Sequence, residues 1–395
     1  MRGARHGAMK ILIVSLFLPQ EKAYHAGGRY VFELLSRLSL HHEIHLATRH
    51  EEGEVAHLGE LSPYCARIHP FSYPQIVKRD LAGTARLIAN YLNFSRFANR
   101  LIREGDYDLV QVEWVETAIL IYRGKTPMVL DAHDVITKPA ERAWLQSRGP
   151  GRLLQLAKFW LLRAAERVIV SRFDRIFTLS DFDRRYLLAL CPGAPVVTVP
   201  IPAGLDLKPA CYPRVRQRLL FLASYKYRPE NVRAAIWFHS MVLPLIRREF
   251  PRAEFVIAGY GPPESLTELA ARDCCTRVTG FVEETDELYK SAAVFVAPIL
   301  TGGGIIVKVL DALAAGTPVV TTSFGNEGIA AGPGRELLVA DTPAAFAEAV
   351  ITLLRDQDQA GRLAANGKAF VAAHFSLEAV LSLIESNYRE LVRQE

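Results

Sequence analysis

The segment TGGGIIVKVLDALAAGTPVV, residues 301 to 320, places a run of glycines directly before an apolar helical pattern. Gly302, Gly303 and Gly304 cost backbone entropy, which indicates that something approaches this backbone closely. Amides at a helix start attract phosphate, and Lys308 adds a positive charge able to reach the same anion. Asp311 follows three residues later on the same helix face, where its carboxylate suits the paired hydroxyls of a ribose. The alternative is an exposed ion pair between Lys308 and Asp311, worth under about 1 kcal/mol.

Two further pairs of residues could contact a phosphate group. Gly27 and Gly28 follow the first predicted strand and open a helix, an arrangement that fits either an anion site or a plain turn. Lys226 and Arg228 stand just beyond the first strand of the second half of the chain. They could stabilise a diphosphate leaving group, and the alternative is two solvated loop residues.

Three titratable residues end strands in the first half of the chain. His133 ends the strand in LDAHDV, so it points toward the crevice of the predicted sheet, where it could bind a sugar hydroxyl, polarise a reacting group or be structural. Glu113 and Glu116, in VEWVET, are candidates for acceptor contacts at the neighbouring strand end. The five cysteines are odd in number and lack zinc-ligand spacing, and this cysteine usage indicates a reducing, cytoplasmic compartment.

Parallel sheets must position these residues. Short apolar, β-branched runs alternate with amphipathic helices along the chain, a pattern typical of βα units. Four prolines and a glycine interrupt the alternation at residues 200 to 214, after which it restarts. We therefore predict two doubly wound, Rossmann-like domains facing across a cleft, residues 1–200 and 218–375. Residues 201–217 form a linker, and residues 376–395 form a C-terminal helix that packs back on the first domain.

The net charge of +5 is mild and is concentrated between residues 142 and 175. The helical stretch LLQLAKFWLLRAA within it carries apolar residues on more than one face, which favours a buried core helix over contact with an anionic membrane. No segment has the roughly 18 uninterrupted apolar residues of a membrane span. Nucleic acid is not an expected partner, because no aromatic and basic interleaving accompanies the charge.

The run GGGIIVKVLDALAAGTPVVTTSFGNEGI is similar to the nucleotide-binding signature of retaining glycosyltransferases of family four. Matches elsewhere include AHD at 132 to 134, VPIPAGLD at the linker, SYKYRPENVRAAIWF, FVIAGYGP and VTGFVEETDELYKSAAVFVAP, so the resemblance covers nearly the whole chain. It implies a GT-B fold, with the nucleotide sugar bound mainly by the C-terminal domain and the acceptor mainly by the N-terminal one. It also implies transfer with retention, without a metal and without a cofactor other than the donor, a UDP- or GDP-sugar.

The resemblance assigns roles to individual residues. Asp311 takes the place of a glutamate that holds the ribose, and His133 meets the donor sugar. The backbone around Phe281 and Val282 meets the base. The donor loop and the cations that neutralise the diphosphate comprise Gly27, Gly28, Gly302, Gly303, Gly304, Ile305, Lys308, Lys226 and Arg228.

This chain departs from the family pattern at two positions. Gly303 stands where many members place a glutamate that contacts the donor sugar, and the ribose-binding glutamate is shortened to Asp311. Glu327, in FGNEGI, is a candidate to replace the missing carboxylate. The departure leaves the donor sugar open.

Three functions follow as hypotheses. The first is a cytoplasmic enzyme of surface polysaccharide biosynthesis, with a glycan or lipid-linked saccharide as acceptor and a peripheral contact with the anionic inner face of the membrane. The second is a non-catalytic GT-B protein that binds a sugar nucleotide or a partner as a scaffold. The third, an epimerase or hydrolase of the same fold, generally requires carboxylate and histidine sets that the sequence does not provide.

Overall fold

The computed structural model describes residues 7–21, 26–73, 81–204, 207–208, 210–226, 228–301 and 305–393. The chain divides into two compact units, one made of Met1–Val199 with Leu381–Glu395 and the other of Pro200–Val380. Each unit is built on its own parallel sheet with helices between the strands, which confirms the predicted α/β class.

The first unit has a seven-stranded sheet of order β3-β2-β1-β4-β5-β6-β7. Its strands are β1 Lys10–Ser15, β2 Glu43–His50, β3 Arg67–Ser72, β4 Leu109–Glu113, β5 Met128–Ala132, β6 Arg175–Thr178 and β7 Val196–Thr198. Its helices are α1 Ala26–Leu38, α2 Leu81–Glu104, α3 Val115–Ala118, α4 Thr137–Gln146, α5 Gly151–Val170 and α6 Asp181–Leu190, with a 3-10 helix at Glu52–Leu61.

The second unit repeats the same strand order with six strands, β10-β9-β8-β11-β12-β13. These are β8 Val215–Leu222, β9 Glu254–Ala258, β10 Thr276–Gly280, β11 Ala292–Ala297, β12 Val319–Thr321 and β13 Leu338–Val339. The helices are α7 Pro229–Trp237, α8 Leu243–Arg247, α9 Glu264–Arg272, α10 Asp286–Ser291, α11 Val307–Ala314, α12 Ser323–Asn326, α13 Pro343–Arg355, α14 Gln357–His374 and α15 Leu377–Arg393, with a π-helical turn at Phe238–Val242 between α7 and α8.

Burial on both faces explains the sequences of the central strands. β1 reads KILIVS and is buried from its second residue onward, and β4 is buried throughout. Helices cover both faces of a parallel sheet, so its central strands are apolar in continuous runs rather than alternating. Helix starts are set locally: Ser180 accepts a hydrogen bond from the Asp183 amide at α6, and Thr342 accepts one from the Ala345 amide at α13.

Strand β3 is the strand that the sequence pattern missed. Its residues, RIHPFS, are half-exposed, and it lies at the edge of the first sheet. An edge strand tolerates a proline such as Pro70 and needs no continuous apolar run. The periodicity that reveals buried strands is therefore missing from it.

Helix α5 corrects the prediction of a buried core helix. Only Phe159, Glu166, Ile169 and Val170 of its twenty residues are buried. Other apolar side chains of the helix are exposed to solvent, among them Trp160. One of its two apolar faces packs on α4 and into the core of the unit, and the other faces solvent.

The C-terminal segment packs within the first unit from Leu381 onward. Tyr388, fully buried on α15, donates a hydrogen bond to Gln111 Oε1 of β4, and Glu385 lies 2.7 Å from His41 Nδ1. By length and composition alone, the helical stretch Gln357–Arg393 could cross a membrane, with 28% of its most apolar window buried. It consists of α14 and α15, and helices in the core of a soluble protein pass the same test.

Candidate functional site

In the second unit, the strand order reverses between β8 and β11, the central pair of its sheet. Loops that leave the carboxyl ends of such a pair diverge, and the crevice between them is the usual ligand site of an open α/β sheet. The loop after β8 carries Lys226 and Arg228, and the segment after β11 leads to α11 with Lys308 and Asp311. Lys226 and Arg228 therefore lie after one strand of this switch point, and Lys308 and Asp311 lie on the helix that follows the other.

Lys308, in the first turn of α11, is held by a specific partner. Its Nζ donates to Asn231 Oδ1 at 2.8 Å and lies 5.2 Å from the centroid of the Phe221 ring. Asn231 in turn donates from Nδ2 to the Ser224 carbonyl at 2.7 Å. One asparagine thus joins the end of β8 to the start of α11 and fixes the lysine between them.

The environment of Lys308 reduces its basicity. Burial lowers its pKa to about 8; Glu230 opposes this change and Arg228 adds to it. Arg228, at the start of α7, is largely exposed, and its guanidinium lies 3.6 Å from the Glu230 carboxylate. The positive charges of Lys308 and Arg228 therefore lie near each other, and a diphosphate bound between them would be stabilised.

Asp311 contacts the segment that joins the two sheets in sequence. Its Oδ1 accepts a hydrogen bond from the Gly204 amide at 3.0 Å. Gly204 has φ +70, and a Cβ added there would lie 2.8 Å from the Ala314 Cβ. Glycine therefore allows this backbone to approach α11 closely, so that Asp311 can accept its amide.

The loop after β8 also contacts an aromatic pair. Lys226 Nζ donates to the Tyr260 hydroxyl at 3.0 Å, and the Tyr260 ring meets Phe281 edge-on at 6.2 Å. Phe281 is 70% exposed directly after β10, and Val282 beside it is half-buried. Lys226 is itself exposed, so an aromatic surface and a cation face solvent together.

The remaining predicted donor residues of the second unit are less informative. Gly302, Gly303 and Gly304 lie outside the described residues. Ile305 is half-buried in the segment that leads into α11, and Glu327 is half-buried directly after α12.

In the first unit, His133 follows β5 and is held on several sides. Its Nε2 lies 2.8 Å from Glu113 Oε2, and its ring stacks on Trp114 with centroids 4.5 Å apart. Tyr30 of α1 meets the imidazole edge-on. A Cβ added to Gly27 would lie 3.1 Å from the Trp114 ring and 3.6 Å from His133 Nδ1, so the second imidazole nitrogen faces the start of α1.

A buried network of polar side chains extends behind His133. Glu113 is fully buried and accepts a hydrogen bond from Gln111 Nε2 at 2.6 Å, and Asp131 accepts one from the Tyr30 hydroxyl at 2.9 Å. The sequence predicted acceptor contacts for Glu113, but its carboxylate is buried inside the unit, where it contacts His133. Glu116, in the first turn of α3, is exposed.

Electrostatics within this network favour binding of protons. Burial and then the Glu113 carboxylate raise the pKa of Asp131. Burial lowers the pKa of His133, but the Asp131 and Glu113 carboxylates outweigh it and the net direction is upward. The two carboxylates therefore favour the protonated imidazole, which can donate its Nε2–H to Glu113.

Trp114 is the residue of this site with a strained backbone. Its φ is 65, a conformation that bulky residues rarely adopt, and its amide donates to the Asp131 carbonyl at 3.0 Å. The strain positions the indole on the imidazole. Sequence reasoning missed Trp114, Asp131, Tyr30 and, in the second unit, Asn231.

Two groups of side chains among the described residues bring three potential metal ligands within 4.8 Å of one another: Glu113, Asp131 and His133, and Asp273, Cys274 and Cys275. In the first group, Glu113 and His133 already contact each other. In the second, Asp273 accepts a hydrogen bond from the Arg247 guanidinium at 2.6 Å.

Comparison with known proteins identifies the class first. The chain superimposes on the sucrose-phosphate synthase of Thermosynechococcus elongatus with a TM-score of 0.72, at 18% identity, over 98% of this chain and 100% of the other. Two units, each with a parallel sheet wound on both faces, match the two-domain α/β architecture known as GT-B, as the sequence predicted.

Sequence comparison then gives the family. Residues 27–208 match the model described as Glycosyltransferase Family 4, and residues 216–356 match the model described as Glycosyl transferases group 1. Together they cover most of the chain, up to the start of α14. The chain therefore belongs to the group 1, family 4 glycosyltransferases.

Two relatives illustrate the similarity. A phosphatidyl-myo-inositol mannosyltransferase of Mycolicibacterium smegmatis is 27% identical over 289 residues, which span 68% of each chain. An uncharacterized 44.6 kDa protein in the cps region of Klebsiella pneumoniae is 27% identical over 165 residues, 40% of this chain. That alignment spans 42% of the Klebsiella protein, less than half its length.

Proposed function

We propose that this protein is a glycosyltransferase that moves a sugar from a nucleotide-sugar donor to a glycan or glycolipid acceptor. The observation that carries the proposal is the placement of Lys308. It lies in the first turn of the helix after β11, joined through Asn231 to the end of β8 and close enough to Arg228 for the two charges to interact. Cations at this point of an open sheet suit a diphosphate that gains charge as the sugar departs.

Each remaining residue has a role in this proposal. Lys226, Arg228 and Lys308 neutralise the leaving diphosphate, so we propose that no metal or further cofactor is needed. Asp311 binds the ribose, and the segment at Phe281 and Val282 meets the base of a UDP- or GDP-sugar. His133 donates a hydrogen bond to the donor sugar, and transfer proceeds with retention.

The acceptor proposal draws on the names of the relatives. One is named for mannosyl transfer and phosphatidyl-myo-inositol, a lipid, and the other for its place in a cps region. We propose a surface glycan or lipid-linked saccharide as acceptor. The corresponding location is the cytoplasm, at the inner face of the cell membrane.

The test is release of nucleoside diphosphate from UDP-, GDP-, ADP- and dTDP-sugars, with and without EDTA. We expect slow hydrolysis of at least one donor, unchanged by EDTA and reduced at least tenfold in Lys308→Ala. Lys368→Ala, which removes an exposed lysine of α14 in the same unit, is the matched control and should behave as the native protein.

Two outcomes would contradict the proposal. Binding of a sugar nucleotide without release from any donor would favour the scaffold hypothesis. Loss of turnover on addition of EDTA, restored by a divalent ion, would overturn the metal-free assignment.

A further inference from the structure

The outward face of α5 carries a continuous exposed apolar stripe. Leu153, Leu154 and Leu161 are 73%, 71% and 71% exposed, and Trp160 is 57% exposed. At about 100° per residue, the exposed apolar side chains of the helix fall within one stripe about a third of its circumference wide. They are Leu153, Leu154, Ala157, Trp160, Leu161, Ala164 and Val168.

The opposite face of α5 anchors the helix and so fixes the direction of this stripe. Phe159 stacks on Trp144 of α4, and Ile169 and Val170 are buried in the core of the first unit. The buried Glu166 accepts hydrogen bonds from the backbone amides of Ile136 and Thr137 at the start of α4. The leucines of the stripe cannot turn inward while these contacts hold.

Basic side chains accompany the stripe. α5 contains Arg152, Lys158, Arg163 and Arg167, and its single acidic residue, Glu166, is buried. Lys158 and Arg167 are exposed on the two flanks of the stripe, and the Arg163 guanidinium lies 5.7 Å from the Trp160 ring centroid. An apolar face with a tryptophan and flanking positive charge is the composition of helices that lie in the plane of a membrane interface.

We propose that this face of α5 docks the protein on an anionic lipid surface, with the leucines and Trp160 in the interface and the basic flanks on the headgroups. A second copy of the chain fits less well, because a two-fold contact through the stripe would bring like charges of the two helices together. An exposed apolar stripe of this length generally marks an interaction site. The positive charge on its flanks favours an anionic lipid surface over a second copy of the chain.

This docking face extends the proposed function, because it would bring the enzyme to a lipid-borne acceptor. It does not depend on donor chemistry, which belongs to residues of other elements. Vesicle binding and donor hydrolysis are therefore measured separately, and either can fail without the other.

The experiment is co-sedimentation of the full chain with vesicles of phosphatidylcholine alone, or of phosphatidylcholine and phosphatidylglycerol in equal parts. We expect binding to the mixed vesicles and much weaker binding to phosphatidylcholine. Neutralising both flanks in Lys158→Gln plus Arg167→Gln should lower the partition coefficient by roughly 30-fold, since each basic side chain near an anionic surface contributes about 1 kcal/mol.

Two variants separate the stripe from a general loss of hydrophobicity. Leu154→Asp plus Leu161→Asp should abolish binding without lowering the melting temperature, because both side chains are exposed. Leu40→Asp replaces a leucine of the same unit that is 69% exposed outside the stripe, and its binding should remain that of the native protein. Trp160 fluorescence should shift to the blue on mixed vesicles, and this shift should vanish in Trp160→Phe.

Absence of binding to mixed vesicles would overturn the proposal. So would equal loss of binding in Leu40→Asp and the double aspartate variant. A native dimer in solution that the double aspartate variant converts to a monomer would assign the stripe to a second copy instead.

Discussion

Lys308 combines a fixed position with a reduced basicity, and both come from its neighbours. Asn231 holds its amine, while burial and the nearby Arg228 lower its pKa to about 8. A lysine with such a pKa is mostly charged at neutral pH and loses its charge in mildly alkaline solution. The affinity for a diphosphate should follow that charge.

We therefore expect nucleoside diphosphate affinity to fall as the pH rises through about 8. The fall should approach tenfold for each pH unit, because only the protonated amine attracts the anion. In Lys308→Arg the guanidinium stays charged, so any remaining affinity should be flat over the same range. Calorimetric titration with UDP and GDP measures both profiles, and parallel profiles would exclude Lys308 as the titrating group.

Asp131 offers a separate prediction, on stability. Its pKa and that of His133 are raised in the folded protein, so the folded state binds protons more tightly than the unfolded chain. The stability that this cluster contributes is present at low pH and is lost as the pH rises through the raised pKa values. Asp131→Asn keeps an acceptor for Tyr30 and removes the carboxylate charge. Relative to the native protein, it should gain up to about 4 kcal/mol between about pH 4 and about pH 7.

Urea unfolding at several pH values measures this difference. Asp358→Asn, which removes an exposed carboxylate in the first turn of α14, is the control for loss of a charge outside the cluster, and we expect a much smaller change over the same range. A pH-independent effect of Asp131→Asn would contradict the assigned protonation of the cluster.

Among the structural elements, the loops after β8 and β9 depend on a close approach of two backbones. Gly259 has φ +131, and a Cβ placed there would lie 1.8 Å from the Ala223 carbonyl oxygen. Gly280, whose carbonyl accepts the Gly259 amide, has φ +71 and nothing within 4 Å of an added Cβ. The two glycines share a positive φ but differ in available space.

Gly259→Ala should therefore destabilise the protein by more than about 3 kcal/mol, while Gly280→Ala should cost only about 1 kcal/mol for its backbone conformation. Chemical unfolding of both variants measures the difference. Equal costs would show that conformation, and not the contact with Ala223, determines the need for glycine.

The elements also show what the sequence could predict. The central strands were readable because buried parallel strands carry continuous apolar runs, whereas β3 lies at an edge and carries Pro70. Helix α5 was assigned to the core because apolar residues lie on two of its faces. A sequence pattern records that a face is apolar, but not whether other elements of the fold cover it.

The candidate site was likewise predictable only in part from the sequence. Lys308, Asp311 and His133 could be proposed from residue type and position at strand ends. Their partners could not, because Asn231 and Gly204 lie 77 and 107 residues from the side chains that they contact. Such pairs are created by the sheet order, and no local pattern in the chain specifies them.

At the level of the whole molecule, both units use the same strand order, so each has a switch point between its central strands. The two switch points carry different chemistry. The first unit has an imidazole supported by carboxylates, and the second has lysine and arginine side chains beside an aspartate. This difference between the two units is what we expect of an enzyme whose second unit binds the phosphate groups of the donor.

The most direct measurement is calorimetric titration of sugar nucleotides into the native protein, Lys308→Ala, Asp311→Ala and the control Lys368→Ala. At least one UDP- or GDP-sugar should bind the native protein and the control with equal affinity. The Kd should be at least tenfold higher in each of the other two variants, with thermal melting showing that both are folded. Unchanged affinity in Lys308→Ala and Asp311→Ala would contradict the assignment of the nucleotide site to the segments that follow β8 and β11.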